Sequence, residues 1–269
     1  MTCMDSDDYL DPTCYEKAMN GIQQGCDMAV FGGINVDEEG HTEEFPYYKV
    51  KFSGKINCDP TIHSKVNINI VLKIFKMSIL KQYNITFAPG KWYEDMAFAH
   101  MYMSVIKTAY GIQETLYYRL VRSNSTMGQT RKGSLKALDY LDVLDQLFKF
   151  LKKNGMWDSN LQLIYAETKH ATTTHYNYIS DKKAAKRAYS AWVNKWNLRK
   201  LFPDADFLSP FAEKTLRSKL TDSFTSLFYK KTDTSERYSL FGLPLVKTTV
   251  KNGKVTTRIL GIKVHAREV

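Results

Sequence analysis

The segment 93–109, YEDMAFAHMYMSVIKTA, places the strongest constraint on the fold, because its pattern predicts a helix that is apolar on nearly every face. A helix of this kind has no face suited to water, so it must be buried. The segment 26–36, CDMAVFGGINV, is short, mostly apolar and followed by the turn residues DEEGH, which is typical of a buried strand. Hydrophobic residues make up 43% of the chain, enough for a core that holds both segments. We therefore expect a globular α/β protein.

Other segments predict further helices and strands. Asp11 and Pro12 are typical of an N-cap and a first helical residue, and the helix that they begin should stop at Gly25. The alternation in 113–121, QETLYYRLV, predicts a strand. Weaker predictions are a short helix within 76–87 and strands in 47–52 and 66–72. The segment 134–155 predicts the clearest amphipathic helix, with an apolar side made of Leu135, Leu138, Leu141, Leu144 and Phe148.

The second half of the chain has a different character. From residue 157 to about residue 230 the pattern is helical and basic. The last segment, SLFGLPLVKTTVKNGKVTTRILGIKVHA, has two β-rich runs on either side of Asn252 and Gly253. This dipeptide between two such runs predicts a β-hairpin.

Charge is distributed unevenly along the chain. The net charge is +10, yet residues 1–60 carry 12 acidic and 4 basic side chains, so the remainder is strongly basic. This asymmetry favours a cation site near the N-terminus and an anionic partner elsewhere. The four cysteines show no metal-type spacing, no stretch reaches the roughly 18 apolar residues of a membrane span, and no secretory signal is evident. We therefore expect a cytoplasmic protein with reduced thiols.

Two acidic pairs are candidates for chemistry. Asp5 and Asp7 lie two apart behind an apolar run, and in extended backbone such residues face the same side. They could bind a hard divalent cation that also takes phosphate oxygens, although for an isolated D-x-D a simple polar turn is the better explanation. Glu94 and Asp95 begin the buried helix, where either the helix dipole alone or a role as general base explains them.

Taken in order, three segments resemble successive blocks of the family 2 glycosyltransferases of the GT-A fold. They are MDSDDYLDP, LKIFKMSILKQYNITFAPGKWYEDMAF and QETLYYRLVRSNS. The closing LFGLPLVK and ILGIKV resemble the tail of bacterial members that build lipopolysaccharide or capsule. The resemblance implies the C-terminal part of a GT-A (Rossmann-like) catalytic domain over 1–155, a helical basic region over 156–235 and a C-terminal β-hairpin tail over 236–269.

The resemblance also implies an inverting transfer of sugar from a nucleotide-sugar donor to a saccharide or lipid-linked saccharide of a bacterial surface glycan. Asp5 and Asp7 would form the D-x-D motif that holds Mn²⁺ or Mg²⁺, with Asp7 the more direct ligand and Asp5 nearer the ribose. Asp95 would be the general base, and Glu94 would orient it or contact the acceptor. Arg119 and Arg122 would lie near the diphosphate, although a solvated strand edge explains these arginines as well.

The chain departs from the family pattern in two ways. The βα units that hold the nucleotide base in the family do not precede its D-x-D motif, and Val71 and Leu72 stand where Trp-Asn is expected before the lysine of LKIFK. We therefore expect a fragment, or a chain whose partner half is encoded elsewhere. One alternative function is a non-catalytic remnant or accessory chain, and another is a divalent-metal phosphohydrolase.

The sequence allows more than one partner for the basic region. Ala185, Tyr189, Trp192 and Trp196 recur at helical spacing among lysines and arginines. Such a stripe either packs against its own domain or lies on anionic lipid as a peripheral membrane contact. We expect no nucleic-acid partner, because no helix-turn-helix, zinc or RNA-recognition signature is present. His170 and His175 are five apart, so we interpret them as surface or core histidines rather than metal ligands.

Overall fold

The computed structural model describes residues 1–121 and 133–212 in full, and beyond them the backbone of five strands between residues 229 and 268. The chain divides into two compact units, Met1–Phe211 and Ala212–Val269. The three-part division of the chain at residues 155 and 235 stays a prediction.

A mixed sheet of six strands organises the first unit. Its order is β1-β6-β2-β3, with β4 paired to β6 and β5 paired to β2. The two long strands β2 and β6 run parallel, whereas β1, β3, β4 and β5 are antiparallel to their neighbours. The strands are β1 (Tyr9–Leu10), β2 (Met28–Val36), β3 (Thr42–Glu43), β4 (Gly54–Asn57), β5 (Lys73–Phe75) and β6 (Thr108–Leu120).

Helices cover this sheet and fill the rest of the first unit. They are α1 (Cys14–Gln23), α2 (Ile62–Lys65), α3 (Met77–Tyr83), α4 (Glu94–Met103), α5 (Asp139–Lys153), α6 (Leu161–His170), α7 (Tyr176–Tyr178), α8 (Lys182–Lys195) and α9 (Leu198–Leu201). A π-helical turn at Ala171–His175 joins α6 to α7. The α/β fold class predicted from the sequence is therefore confirmed.

The most strongly patterned elements form near their predicted positions, but the helix predicted over 93–109 ends at Met103, and Thr108 and Ala109 belong to β6. Every residue of α4 from Met96 to Met103 is buried, as its lack of a polar face requires. The apolar segment at 26–36 forms β2, and the alternating segment at 113–121 forms the end of β6. Helix α5 turns its apolar side inward and is stopped by Gly155, whose φ of 67° is the left-handed geometry that glycine tolerates.

Four local predictions are wrong. In place of a strand, 47–52 begins within the 3-10 turn Pro46–Tyr48, because proline presets φ for a turn and cannot donate to a ladder. In place of a strand at 66–72, a second turn at Ile70–Leu72 precedes β5. Helix α1 begins at Cys14, because Asp11 accepts hydrogen bonds from Thr13 and thereby forms its own turn. Leu135 is half exposed in a 3-10 turn that precedes α5.

The second unit contains a five-stranded antiparallel sheet in the order β11-β10-β9-β8-β7. Its strands are β7 (Tyr229–Thr232), β8 (Ser235–Leu240), β9 (Leu243–Lys251), β10 (Lys254–Ile259) and β11 (Ile262–Glu268). The predicted hairpin is confirmed, because Lys251 pairs with Lys254. Its turn residues, Asn252 and Gly253, lie outside the described part of the chain.

A polar network inside the first unit ties four helices together. Nδ1 of His63 on α2 lies 3.0 Å from Nδ1 of His100 on α4, and its Nε2 lies 3.2 Å from Oδ1 of Asn160. The second ring nitrogen of His100, Nε2, lies 3.3 Å from Glu167 Oε1 on α6. The other carboxylate oxygen, Glu167 Oε2, accepts a hydrogen bond from the Tyr140 hydroxyl on α5 at 2.5 Å. Burial opposes the charge on Glu167, but His100 and Tyr140 outweigh it and lower its pKa to about 2.

This network predicts that stability falls in mild acid. Burial lowers the pKa of His63 to about 3 and that of His175 to about 4. The pKa of these histidines in the unfolded chain is about 6.5. At pH values between this pKa and the lower folded-state pKa, the unfolded chain binds protons that the folded chain does not. Each histidine should therefore cost up to about 1.4 kcal/mol of stability per pH unit as the pH falls. Urea unfolding at pH 7.5, 6.5, 5.5 and 4.5 measures the slope.

His63→Asn should reduce this slope, because asparagine does not titrate and His63 is one of the two histidines whose pKa burial lowers. Glu167 contributes stability that is lost only between pH 4.5 and pH 2, because its pKa is lowered, so it does not affect the test window. A stability that stays flat between pH 6.5 and pH 4.5 would contradict the prediction.

Candidate functional site

A buried carboxylate fastens the acidic N-terminal segment to the end of β6. The Tyr117 hydroxyl donates to Asp8 Oδ2, and the Leu120 N–H donates to Asp8 Oδ1 at 2.8 Å. The Tyr117 hydroxyl also accepts from the Asp5 N–H at 3.4 Å. Asp8 was not among the predicted site residues, although it is the third acid of the DSDD run and directly precedes β1. Its role is to position the turn that carries Asp5 and Asp7.

Four of the predicted site residues come together around this turn. Asp5 and Asp7 are exposed on it. Partial burial and then the carboxylates of Asp8 and Asp7 raise the pKa of Asp5, and Glu94 raises it further. The guanidinium of Arg119 acts in the opposite direction. The start of α4 and the end of β6 therefore both contribute charge to the surroundings of the D-x-D turn.

Arg119 lies on β6 opposite Asn35 of β2, near the end of the parallel pair. Asn35 was missed at the sequence level, and its buried Oδ1 has no hydrogen-bond partner among the residues that the structure describes. A buried acceptor of this kind is costly unless a donor from solvent or substrate reaches it. Arg122, the second predicted arginine, lies outside the described residues.

Glu94 and Asp95 form the first turn of α4, directly after Tyr93, whose φ is 66°. Burial and then the charge of Glu94 raise the pKa of Asp95, whereas the backbone N–H groups at the helix start and the charge of Lys73 lower it. Asp95 Oδ1 accepts from the Met96 N–H at 2.9 Å. A half-buried carboxylate with a raised pKa is suited to accept a proton.

Lys73 is the other residue that the sequence did not assign to a site. It is fully buried on β5, where its Nζ donates to the Asn69 carbonyl at 2.5 Å. Burial lowers its pKa to about 7, although the charge of Asp95 counteracts this. Lysines are rarely fully buried, so a buried lysine whose pKa depends on the charge of the candidate base is notable.

The donor set at the D-x-D turn fits a hard divalent cation. Asp5 and Asp7 offer two carboxylates, and Mg²⁺ is commonly held by one or two carboxylates together with substrate phosphates and water. Elsewhere in the described ranges, ligand atoms of Asp37, Glu39 and His41 lie within 4.8 Å of one another. That exposed cluster has a structural explanation, because Asp37 Oδ1 accepts from the N–H groups of Glu39 and His41 at 3.0 and 2.7 Å.

The aromatic stripe of α8 packs against its own unit. Tyr189, Trp192 and Trp196 are buried, and the Trp196 indole donates to Asp145 of α5 at 2.5 Å. The lysines and arginines around the stripe are exposed. Within the described part of the chain, no helix is both long and apolar enough to cross a membrane.

The chain shares its mixed α/β fold with a solved protein at low sequence identity. The structure of residues 1–349 of S. aureus TarS in complex with UDP-GlcNAc aligns with 90% of this chain and 73% of that one, at 15% sequence identity and a TM-score of 0.51. The UDP complex of the same TarS segment aligns with 90% of this chain and 72% of that one, at 15% identity and a TM-score of 0.39. We base the fold assignment on the first alone. No protein-family model and no curated protein sequence matches the chain.

Replacing Tyr117 with Phe should show what holds the D-x-D turn in place. The change removes the hydroxyl that donates to buried Asp8, and a buried acceptor left without its donor costs about 1–3 kcal/mol. Urea unfolding should detect that loss, and hydrogen exchange should show faster exchange at Leu120, whose N–H donates to Asp8. Tyr118→Phe is the matched control, because this neighbouring ring is partly exposed. Equal stability of the two variants would argue against the assigned role of Tyr117.

Proposed function

We propose that this protein is an inverting, metal-dependent glycosyltransferase that moves a sugar from a nucleotide-sugar to a saccharide or lipid-linked saccharide. The observation that carries the proposal is that charges from three elements act on one carboxylate of the D-x-D turn. The acids of the D-x-D turn, Arg119 at the end of β6 and the acidic start of α4 all act on Asp5. The likeness of the fold to TarS, solved with UDP-GlcNAc, supports a nucleotide-sugar as donor.

Each residue of the candidate site has its own role in the proposed reaction. Asp5 and Asp7 would hold Mn²⁺ or Mg²⁺, which when bound neutralises the donor diphosphate. Arg119 offers a guanidinium fork to the same diphosphate and stabilises the charge that develops as it leaves. Asp95 takes the proton from the acceptor hydroxyl during its attack on the anomeric carbon. One displacement assisted by one base inverts that carbon.

Glu94 has a separate task in this scheme. It raises the pKa of both Asp5 and Asp95, so its charge acts on the donor side and on the base. We assign to it the orientation of Asp95 and contact with the acceptor.

The acceptor class and the place of action are further parts of the proposal. We assign the acceptor to bacterial surface glycans of the lipopolysaccharide or capsule type, and the enzyme to the cytoplasmic face of the membrane. The basic surface of α8 and α9 supports a peripheral contact with anionic lipid. Its exposed members are Lys183, Lys186, Arg187, Arg199 and Lys200. Because the tryptophans of α8 are buried, this contact depends on electrostatic attraction to the lipid rather than on insertion of the tryptophans into it.

Nucleotide binding should depend on a divalent cation. UDP should bind at least about tenfold more tightly in Mn²⁺ or Mg²⁺ than in chelator, and Asp7→Ala should abolish that difference. Isothermal titration calorimetry measures both affinities on the same preparation.

Asp37→Ala is the matched control for Asp7→Ala, because it removes an exposed acid from the cluster in the loop between β2 and β3. It should leave the metal dependence intact. UDP binding that is independent of metal, and unchanged in Asp7→Ala, would reject the metal site. Binding that depends on metal but never leads to transfer would favour the accessory-chain function.

Asp95→Asn should separate the general base from a helix-start charge. Asparagine keeps the shape of the side chain but cannot accept the proton, so the rate of transfer should fall by about 10²–10⁴-fold. Nucleotide affinity should stay nearly unchanged, because Asp95 is assigned to the acceptor side. Steady-state kinetics with a nucleotide-sugar and a saccharide acceptor provide the measurement.

Glu94→Gln is the control for charge at the same helix start. It should act mainly through the KM of the acceptor and should be less severe than Asp95→Asn. If both acids serve only the helix dipole, each substitution costs a few tenths of a kcal/mol of stability and leaves turnover alone. Normal turnover in Asp95→Asn would therefore show that the base lies elsewhere.

A further inference from the structure

A cavity of about 320 Å³ opens over the middle of β2 and has no role in the scheme above. Gly32, Gly33 and Ile34 of β2 form its floor, and Gln113 and Thr115 of β6 form one side. Residues of the segment 44–50, which begins EFPYYK, complete its lining. Its volume lies within the range of small-molecule binding sites, about 300–1,000 Å³.

The floor of the cavity requires glycine. A Cβ on Gly33 would lie 2.8 Å from Leu72 Cδ2, and a Cβ on Gly32 would lie 2.8 Å from the Glu114 carbonyl oxygen. The register between β2 and β6 also shifts on both sides of Gly32. Bulges of this kind redirect side chains and are common next to functional sites. Here they accompany the exposure of Gln113 and Thr115 at the cavity.

An aromatic turn lines the cavity together with Gln113 and Thr115. Phe45 is 40% exposed, and its ring packs edge-on against Tyr48 at 5.0 Å. Tyr48 is buried and anchors the turn in the core, while Pro46 at the start of the 3-10 turn restricts its backbone. Tyr47 extends the aromatic surface and is 72% exposed.

The charges at the cavity cancel. Lys49 Nζ lies 2.6 Å from Glu44 Oε2, and these are the charged side chains that line it. A phosphate or a metal ion would meet no net charge of the opposite sign here. The Thr115 hydroxyl and the Gln113 amide can both donate and accept hydrogen bonds, and the Gln113 Nε2 already donates to the Val50 carbonyl at 3.5 Å.

We propose that this cavity is a subsite for one neutral pyranose ring of the acceptor glycan. An aromatic ring suits the apolar C–H face of a pyranose, because its π face is negative and its surface is apolar. Gln113, Thr115 and the polar atoms of the Glu44–Lys49 pair suit the hydroxyl groups around the ring. This inference rests on the proposed function, since it names the chemical class that the acceptor side of the same protein takes.

The position of the cavity matches an acceptor that extends along the sheet. Gly33 pairs in register with Tyr117, whose hydroxyl contacts Asp8 and the Asp5 N–H. Asn35, two residues further along β2, pairs with Arg119. Two residues of a strand span about 7 Å, so the floor of the cavity and the candidate site lie on one continuous strand pair.

Binding of neutral sugars to the whole protein tests the inference. The probes are maltose, cellobiose, lactose and N,N′-diacetylchitobiose, titrated by saturation-transfer NMR. At least one should bind, and Phe45→Ala and Gln113→Ala should each weaken it by about tenfold. Thr115→Phe, which fills the cavity without removing an aromatic ring, should block binding as well. Tyr15→Ala is the control, because Tyr15 is a 48% exposed tyrosine on α1 that does not line the cavity.

A parallel titration with UDP and Mn²⁺ separates this inference from the proposed function. UDP affinity should be the same in all four variants and the parent. Loss of metal-dependent UDP binding together with retained sugar binding would reject the proposed function and keep a saccharide site. Failure of all four sugars, equal affinity in Phe45→Ala and the parent, or weaker UDP binding in Phe45→Ala would overturn the subsite.

Discussion

The hydrogen bond from Tyr117 to Asp8 is the contact on which the candidate site depends. It joins residues 109 positions apart and lies inside the protein, where a bond to a charged acceptor is stronger than one between neutral groups. Through it, the exposed carboxylates of Asp5 and Asp7 are held beside the end of the β2–β6 pair rather than on a free chain end. Ordering that segment costs conformational entropy, which the ladder bonds of β1 and the bonds of Met1 and Thr2 to β5 also help to offset.

Helix α4 supplies the second fixed part of the site. Its burial on all sides leaves it one orientation, and the bonds from His100 toward α2 and α6 add directional contacts to that packing. The acidic start of α4 is therefore presented to the D-x-D turn by a rigid element. A proton acceptor must be held within hydrogen-bond reach of its substrate, so a buried helix suits the role assigned to Asp95 better than a loop would.

Local pattern located α5 by its helical periodicity and the second half of β6 by its alternation, whereas α4 and β2 were located by their length and apolar composition. Local pattern failed at 47–52 and 66–72, where the alternation predicted strands. In the structure, Pro46 favours a turn at the first segment, and the packing of Ile70–Leu72 favours a turn at the second. Within the site, the resemblance to a known family pointed to Asp5, Glu94 and Arg119, which the structure brings together. The roles of Asp8 and Lys73 were beyond sequence reasoning, because burial and partners distant in the chain define them.

Asp5 and Asp95 differ from several structural acids in the direction in which their pKa values shift. Hydrogen bonds from Thr13 and Thr61 lower the pKa of Asp11 and Asp59, and donors that include Trp92 and Lys136 lower that of Asp139 despite burial. In the folded protein, hydrogen-bond donors and cations stabilise the charged form of these carboxylates. Burial and neighbouring carboxylates instead raise the pKa of Asp5 and Asp95. Because the fold leaves this repulsion in place at both positions, a cation at Asp5 and a proton at Asp95 are the partners that would relieve it.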